Sequence, residues 1–309
     1  MIAAVIDIGS NSVLLLTVAL DADGRARGVD QALATTRLAA GLRTGGTLDA
    51  AARARTREAV SSFVDSARAA GARRTWAFAT GAMRDAGDGR DFAAELHAAT
   101  GVPVEVLSGE REARLAYAAA AGVGSGEAAL LVVDVGGWTT ELTLGVGDRV
   151  DDVASLRLGA LALTEAHGAD LGRLTAAVDA ALAGWDIPPR ARAAGLAASG
   201  GTATALAALD LGLSTYDPRR VHGHVLGDVA LRSIAARLAA MGVEERRAIP
   251  GLDPGRAAIL PAGAVVLSRI AAATAAAGVT VSDHGVRHGY LRAALAAEGV
   301  RVDLGELWP

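Results

Sequence analysis

The chain of 309 residues has no cysteine and, although it carries 30 basic side chains, no lysine. The first absence excludes disulfides, thiolate metal sites and a cysteine nucleophile, and leaves the redox compartment open. The second excludes a phosphate loop of the G-x-x-x-x-G-K-[ST] kind and any Schiff-base lysine. Ala, Arg and Gly are inflated together, as coding bias would produce. The consequence is still chemical, because anions must here be held by arginine forks and backbone amides. Aromatic residues make up only 3%, so Val, Leu, Ile and Ala have to fill the interior. Long apolar runs are missing too. Residues 13–20 are too few to span a bilayer, and the Ala-rich stretch 262–278 contains Arg269 and reads as a buried helix. No basic leader precedes the first apolar run at Ile2, so a cytoplasmic location and no membrane partner are expected. A net charge of -4 gives no footprint for duplex nucleic acid.

The 51% of hydrophobic residues and the length suit two domains, each burying its own core. The first half reads as a strand (2–8), a tight turn (9–12), a second strand (13–20) and a turn at Asp21–Gly24. A helix follows over 49–70, then a strand (75–80), a helix (91–100) and a strand (102–107). A further helix, opened by Ser108, runs to about Ala121. The Gly-rich break at 122–126 marks the expected boundary, with domains over 1–125 and 126–289 and a closing helix within 290–309 packing back on the first. The second half restarts alike: strand 130–133, turn 134–137, strand 140–146. Helices follow over 159–167 and 170–183, then a strand near 192–198, a late strand at 279–282 and a closing helix at 290–298.

Four motifs carry chemistry. Asp7-Ile8-Gly9-Ser10-Asn11-Ser12 places a carboxylate at a strand end before a turn rich in N–H and hydroxyl groups, which suits a metal and phosphate; alone it equally describes a hairpin. Asp134-Val135-Gly136-Gly137-Trp138-Thr139-Thr140-Glu141 repeats that arrangement 127 positions later, and the repeat favours phosphate binding by a duplicated unit. In Ser108-Gly109-Glu110-Arg111-Glu112-Ala113-Arg114 the acids either compensate a helix dipole or direct Glu112 inward as a general base. Ser199-Gly200-Gly201-Thr202, between a strand and a helix, allows close approach of a ligand or close helix packing.

Taken with the stretches IDIGSNSVLLLTV, AFATGAMRDA, EVLSGEREARLAY, VVDVGGWTTELTLG, ASGGTATALA, IPGLDPGRAAILPAGAVVL and SDHGVRHGYL, the chain resembles the exopolyphosphatase/guanosine pentaphosphate phosphohydrolase (Ppx/GppA) family, in its short form, over nearly its whole length. The resemblance implies an α/β fold of two actin-like (ribonuclease H-like) lobes, each a mixed sheet flanked by helices, with an interdomain cleft. It implies an exopolyphosphatase that releases terminal phosphate by metal-assisted attack of water. The alternatives are a guanosine pentaphosphate phosphohydrolase or a weakly catalytic polyphosphate or nucleotide sensor. By matching position Glu112 becomes the general base, and Asp7, Asp134 and Glu141 become ligands of Mg²⁺ or another hard divalent cation, Glu141 also orienting water. Gly9, Ser10, Asn11, Ser12, Gly136, Gly137 and Thr139 line the phosphate loops, and Arg84 clamps phosphate. Relatives commonly dimerise; no stripe in this sequence marks an interface.

Three positions depart from the family pattern. Trp138 stands where a third loop glycine is usual, and in a left-handed conformation it would cost about 1–2 kcal/mol. Its indole could crowd the phosphate, stack on a purine or merely reshape the loop. Thr139 replaces a usual serine and keeps the hydroxyl. His288 replaces a usual glutamate. The pair His222 and His224 lacks a third ligand and is read as loop structure rather than a zinc site.

Overall fold

The computed structural model describes all residues except 125, 127, 193, 306 and 309, so part of the expected boundary at 122–126 lies outside the described residues. The chain forms two compact units, Met1–Leu115 with Val286–Pro309, and Ala116–Gly285. Among the described residues no helix is long and apolar enough to cross a membrane.

The first unit contains β1 (Ile2–Ile8), β2 (Ser12–Leu20), β3 (Ala26–Thr35), α1 (Ala50–Ala69), β4 (Arg74–Ala79), α2 (Gly81–Asp85), α3 (Gly89–Thr100), β5 (Val104–Val106) and the start of α4 (Gly109–Ala120). The second contains β6 (Leu130–Val135), β7 (Thr140–Val146), β8 (Arg149–Leu156), α5 (Ala160–His167), α6 (Leu171–Ala183), β9 (Gly195–Ser199), α7 (Gly200–Asp210), α8 (Pro218–Val221), β10 (Val225–Gly227), α9 (Asp228–Ala240), α10 (Val243–Arg247), α11 (Leu260–Ala273) and β11 (Gly278–Val281). The last helix, α12 (Val286–Ala297), belongs to the first unit.

The sheet of the first unit has the order β3-β2-β1-β4-β5. Read from its β8 edge, the second runs β8-β7-β6-β9-β11-β10, the same order with one strand added. In each, the first three strands form an antiparallel meander and the next two join in parallel. The architecture is therefore two mixed sheets flanked by helices, and one supersecondary plan occurs twice. Central β1 and β6 are apolar almost throughout because helices and neighbouring strands leave them little solvent. Most of the Ala-rich stretch lies in a buried helix, α11, which ends at Ala273 rather than running to 278, and Arg269 on it reaches out to Asp179 at 2.6 Å.

Several elements depart from the sequence expectation. The strands β3, β8 and β10 are absent from it, and each lies at a sheet edge. Exposed and part-buried residues alternate along β3, and β8 is polar over much of its length, so neither offers the apolar run that reveals β1 and β6. The edge of β3 is covered by the chain end: Ala26 and Gly28 donate N–H bonds to the carbonyls of Asp303 and Leu307 at 2.8 and 2.7 Å. The limit between the two compact units also lies elsewhere. It passes within α4 rather than through the Gly-rich break, because Tyr117 and Ala120 bury themselves with Leu130, Val132 and Ala197 of the second unit. Apolar packing, not chain punctuation, sets this limit.

Helix α12 approaches α4 within the first unit at Gly289, where a Cβ would stand 2.1 Å from the Leu115 carbonyl oxygen. Gly289→Ala should cost about 1–3 kcal/mol, read as a lowered melting temperature. Gly122→Ala, with nothing within 4 Å of the added carbon, should be close to neutral. Equal stability of the two variants would show that α12 shifts freely.

Candidate active site

The two hairpin turns are built alike. Gly9 N–H donates to the Ser12 carbonyl at 3.0 Å, and Gly136 N–H donates to the Thr139 carbonyl at 3.0 Å. A Cβ on either glycine would lie 2.9 Å from that same carbonyl oxygen, so both turns require glycine. The copies differ in what faces the aspartate across the ladder: Asp7 is opposite Leu14, whereas Asp134 is opposite Glu141.

In the first turn Ser10, Asn11 and Ser12 are all buried. Ser10 Oγ accepts the Ala82 N–H at 3.1 Å and so caps α2, and Asn11 Nδ2 donates to Ser12 Oγ at 3.0 Å. Asn11 Oδ1 is buried without a hydrogen bond, an acceptor without a donor in the protein. The Asn11 carbonyl accepts the N–H groups of Thr36 and Arg37, and Arg37 adopts φ 50. A non-glycine residue in this left-handed region is strained and repays attention near a binding loop. Nothing in the sequence marks it.

Helix α4 settles how its charges are used. Ser108 Oγ accepts the Arg111 N–H at 3.2 Å, as expected of a cap. Glu110 and Arg114 are exposed and pair with each other at 3.0 Å. Arg111 turns to Glu105 at 2.8 Å, and Glu105 also accepts the Tyr290 hydroxyl at 2.9 Å. Glu112 alone points inward and is 7% exposed, the opposite of dipole compensation in solvent. Its Oε2 accepts from Arg84 Nη1 at 2.7 Å, and the same nitrogen donates to the Leu107 carbonyl at 3.2 Å.

In the second unit the strand-end aspartate is enclosed. Burial pushes the Asp134 carboxyl up to about 6 from 3.8, against the opposing pull of Ser199 and of the Arg256 guanidinium. Ser199 lies opposite Asp134 in the β6–β9 register, and its buried Oγ completes no full hydrogen bond. The two glycines that follow make room for these groups. A Cβ on Gly200, which has φ +79, would stand 2.3 Å from Asp134 Oδ1; one on Gly201 would stand 1.2 Å from Arg256 Nη1. Thr202 Oγ1 donates to the Val135 carbonyl at 3.1 Å. The Gly-Gly-Thr motif therefore admits the protein's own carboxylate and guanidinium, an outcome between the ligand and packing readings. Arg256 was missed in the sequence, since only folding brings its loop against the α7 start.

Glu141 is 2% exposed and accepts from Ser155 Oγ at 2.9 Å. Among the described residues no group of three or more His, Cys, Asp or Glu is arranged to hold a metal. A small hard cation is ordinarily held by one or two carboxylates with waters and substrate phosphates, and the Asp134–Glu141 pair supplies such donors. His224 Nε2 is engaged with Asp210 Oδ2 at 2.7 Å.

Trp138 does not carry the expected strain. Its φ is not positive, and it is 8% exposed. Its backbone fits against Gly159, where a Cβ would approach the Trp138 carbonyl carbon to 2.2 Å. The Gly136 and Gly137 carbonyls accept N–H groups from the first turn of α5, which fixes the loop. Thr139 is buried beside it.

A sequence model described as the Ppx/GppA phosphatase family matches residues 17–298. Exopolyphosphatase 2 of Mycobacterium tuberculosis is 31% identical over 308 residues, covering 93% of this chain and 96% of that protein. The crystal structure of the Aquifex aeolicus member of the Ppx/GppA protein family is similar with a TM-score of 0.79 at 29% identity, covering 96% of this chain and 98% of that one. An exopolyphosphatase from Cytophaga hutchinsonii reaches a TM-score of 0.84 at 19% identity, covering 97% and 99%, a likeness of fold alone.

Two measurements test this geometry. In metal-free protein the Asp134 carboxyl should titrate near 6 by NMR, and Arg256→Gln should raise that midpoint. The folded-state pKa lies above the unfolded value, so stability is complete at low pH and falls as pH rises from 3.8 through about 6. Asp134→Asn should hence stabilise by up to about 3 kcal/mol more at pH 8 than at pH 3; a gain independent of pH would contradict an enclosed acid. Trp138→Ala should lose about 3–5 kcal/mol as a buried large-to-small change. A variant at least as stable as the parent would mean the indole obstructs its loop.

Proposed function

Since the chain belongs to the Ppx/GppA phosphatase family, we propose that it hydrolyses the terminal phosphate of inorganic polyphosphate, with Glu112 as the general base. The observation that carries this reading is the inward, enclosed carboxylate of Glu112 on a helix whose other charges all turn outward. Water is a poor nucleophile toward a polyanion, and a positioned carboxylate that takes its proton contributes about 10²–10⁴-fold. The remaining need is neutralisation of charge. Without lysine it falls to Arg84, Arg256 and the N–H groups at 10–12 and 137–139 of the two turns.

Asp134 and Glu141 would hold a divalent cation such as Mg²⁺, and Asp7 is the carboxylate at the equivalent strand end of the first unit. When bound, the cation supplies charge neutralisation on the phosphate oxygens. The enclosure of Asp134 suits this role, because a carboxylate paid little by solvent gains more from a cation. Ser10, Asn11, Ser12, Gly9, Gly136, Gly137 and Thr139 contact phosphate in this reading, and Ser10 contributes its O–H while its oxygen accepts the Ala82 N–H.

Phosphate release should be measured from polyphosphate and, in a second arm, from guanosine pentaphosphate, each with Mg²⁺ and with chelator. Metal-dependent release from polyphosphate is expected, falling about 10²–10⁴-fold in Glu112→Ala. Undiminished release by that variant would remove Glu112 from the mechanism, and release from the nucleotide alone would transfer the reading to that substrate.

A further inference from the structure

The Arg84–Glu112 contact joins two groups that the proposed reaction uses for different ends. An arginine that binds phosphate and a carboxylate that takes a proton from water are here each other's partner. The contact is close, 2.7 Å from Arg84 Nη1 to Glu112 Oε2, and largely enclosed, with side-chain exposures of 19% and 10%. Both hydrogens of Nη1 are engaged, one with Glu112 and one with the Leu107 carbonyl. Phosphate cannot take a hydrogen bond from this nitrogen unless Glu112 or Leu107 gives one up. The Leu107 carbonyl is anchored by the backbone at the end of β5, just before the cap of α4, whereas Glu112 is held by a side chain that can turn. Coulomb's law sets the direction of exchange, since a phosphate chain carries more negative charge than one carboxylate and competes for the same guanidinium.

We propose that Arg84 is an exchangeable partner: it holds Glu112 in the resting protein and passes to the arriving phosphate, so that substrate binding itself frees the base. This deepens the reading of Glu112 as base and Arg84 as phosphate ligand, and rests on it. Arg84 is thus a positioning residue for Glu112 in one state and a substrate contact in the other. While paired, Glu112 has its Oε2 engaged by a donor; once released, that oxygen can take the proton of water.

The exchange predicts that weakening the base side of the pair strengthens anion binding. Calorimetry with orthophosphate as the probe, in the presence of Mg²⁺, should be run on the parent, Glu112→Gln, Arg84→Gln and the double variant. Glutamine keeps the shape of Glu112 but not its charge, and roughly halves the hold on Arg84. Glu112→Gln should bind phosphate about tenfold more tightly than the parent, and in the Arg84→Gln background the same change should bring no gain. Removal of a nearby negative charge alone would give equal gains in both backgrounds, and that result overturns the exchange. No gain in either background overturns it as well, because the pair would then persist in the complex. Glu112→Ala serves the same cycle should the glutamine variant not fold. Failure of the underlying reading looks different: Arg84→Gln would leave the phosphate affinity unchanged, or Glu112→Ala would leave hydrolysis of polyphosphate intact.

Discussion

Carboxylates kept away from bulk water are the constraint around which the candidate residues of each unit are organised. A buried negative charge is costly unless something compensates it, and each acid here has its own compensation. Glu112 has the Arg84 guanidinium. Glu141 has the Ser155 hydroxyl. Asp134 has Arg256 and Ser199, and the compensation is incomplete, so its carboxyl holds a proton up to about pH 6. In the proposed reading a bound cation would complete the compensation. The glycines at 200 and 201 then follow, because any side chain there would occupy the volume of the Asp134 carboxylate or the Arg256 guanidinium.

The duplication explains why the two units are alike in frame and unlike in chemistry. The sheet order, the turn hydrogen bond and the glycine that permits it all recur. At the ladder position facing the aspartate, one copy has Leu14 and the other Glu141. A scaffold can be copied whole because backbone hydrogen bonding does not depend on the side chain opposite. Charge cannot be copied so freely, since one more acid in the first hairpin would need a partner. In the first turn the polar groups are instead hydroxyls and an amide, largely occupied with one another and with α2.

The absence of lysine has an architectural side as well. Guanidinium groups are planar and donate in fixed directions, so the arginines in question sit against flat or recessed surfaces. Arg256 lies over the Cα of Gly201, and Arg84 is seated between the Leu107 carbonyl and Glu112. An ammonium on a flexible stem would need no such seats.

Much of this was legible in the residues themselves. The strands bearing Asp7 and Asp134 show as apolar runs because central strands are buried on both faces. The turns show as glycine with small polar neighbours because a Cβ cannot be accommodated there, and the α4 start shows in Ser108 because an N-cap is a local hydrogen bond. Other features depend on contacts distant in the chain. The strands β3 and β8 are edges with half a pattern, and the unit boundary follows where Tyr117 finds apolar company rather than where glycines interrupt the chain. Whether Glu112 faces in or out, whether Trp138 is strained, and that Arg256 reaches Asp134 were decided by the folded backbone alone. Side-chain direction and long-range charge pairing are properties of three-dimensional neighbours, which local propensity does not encode.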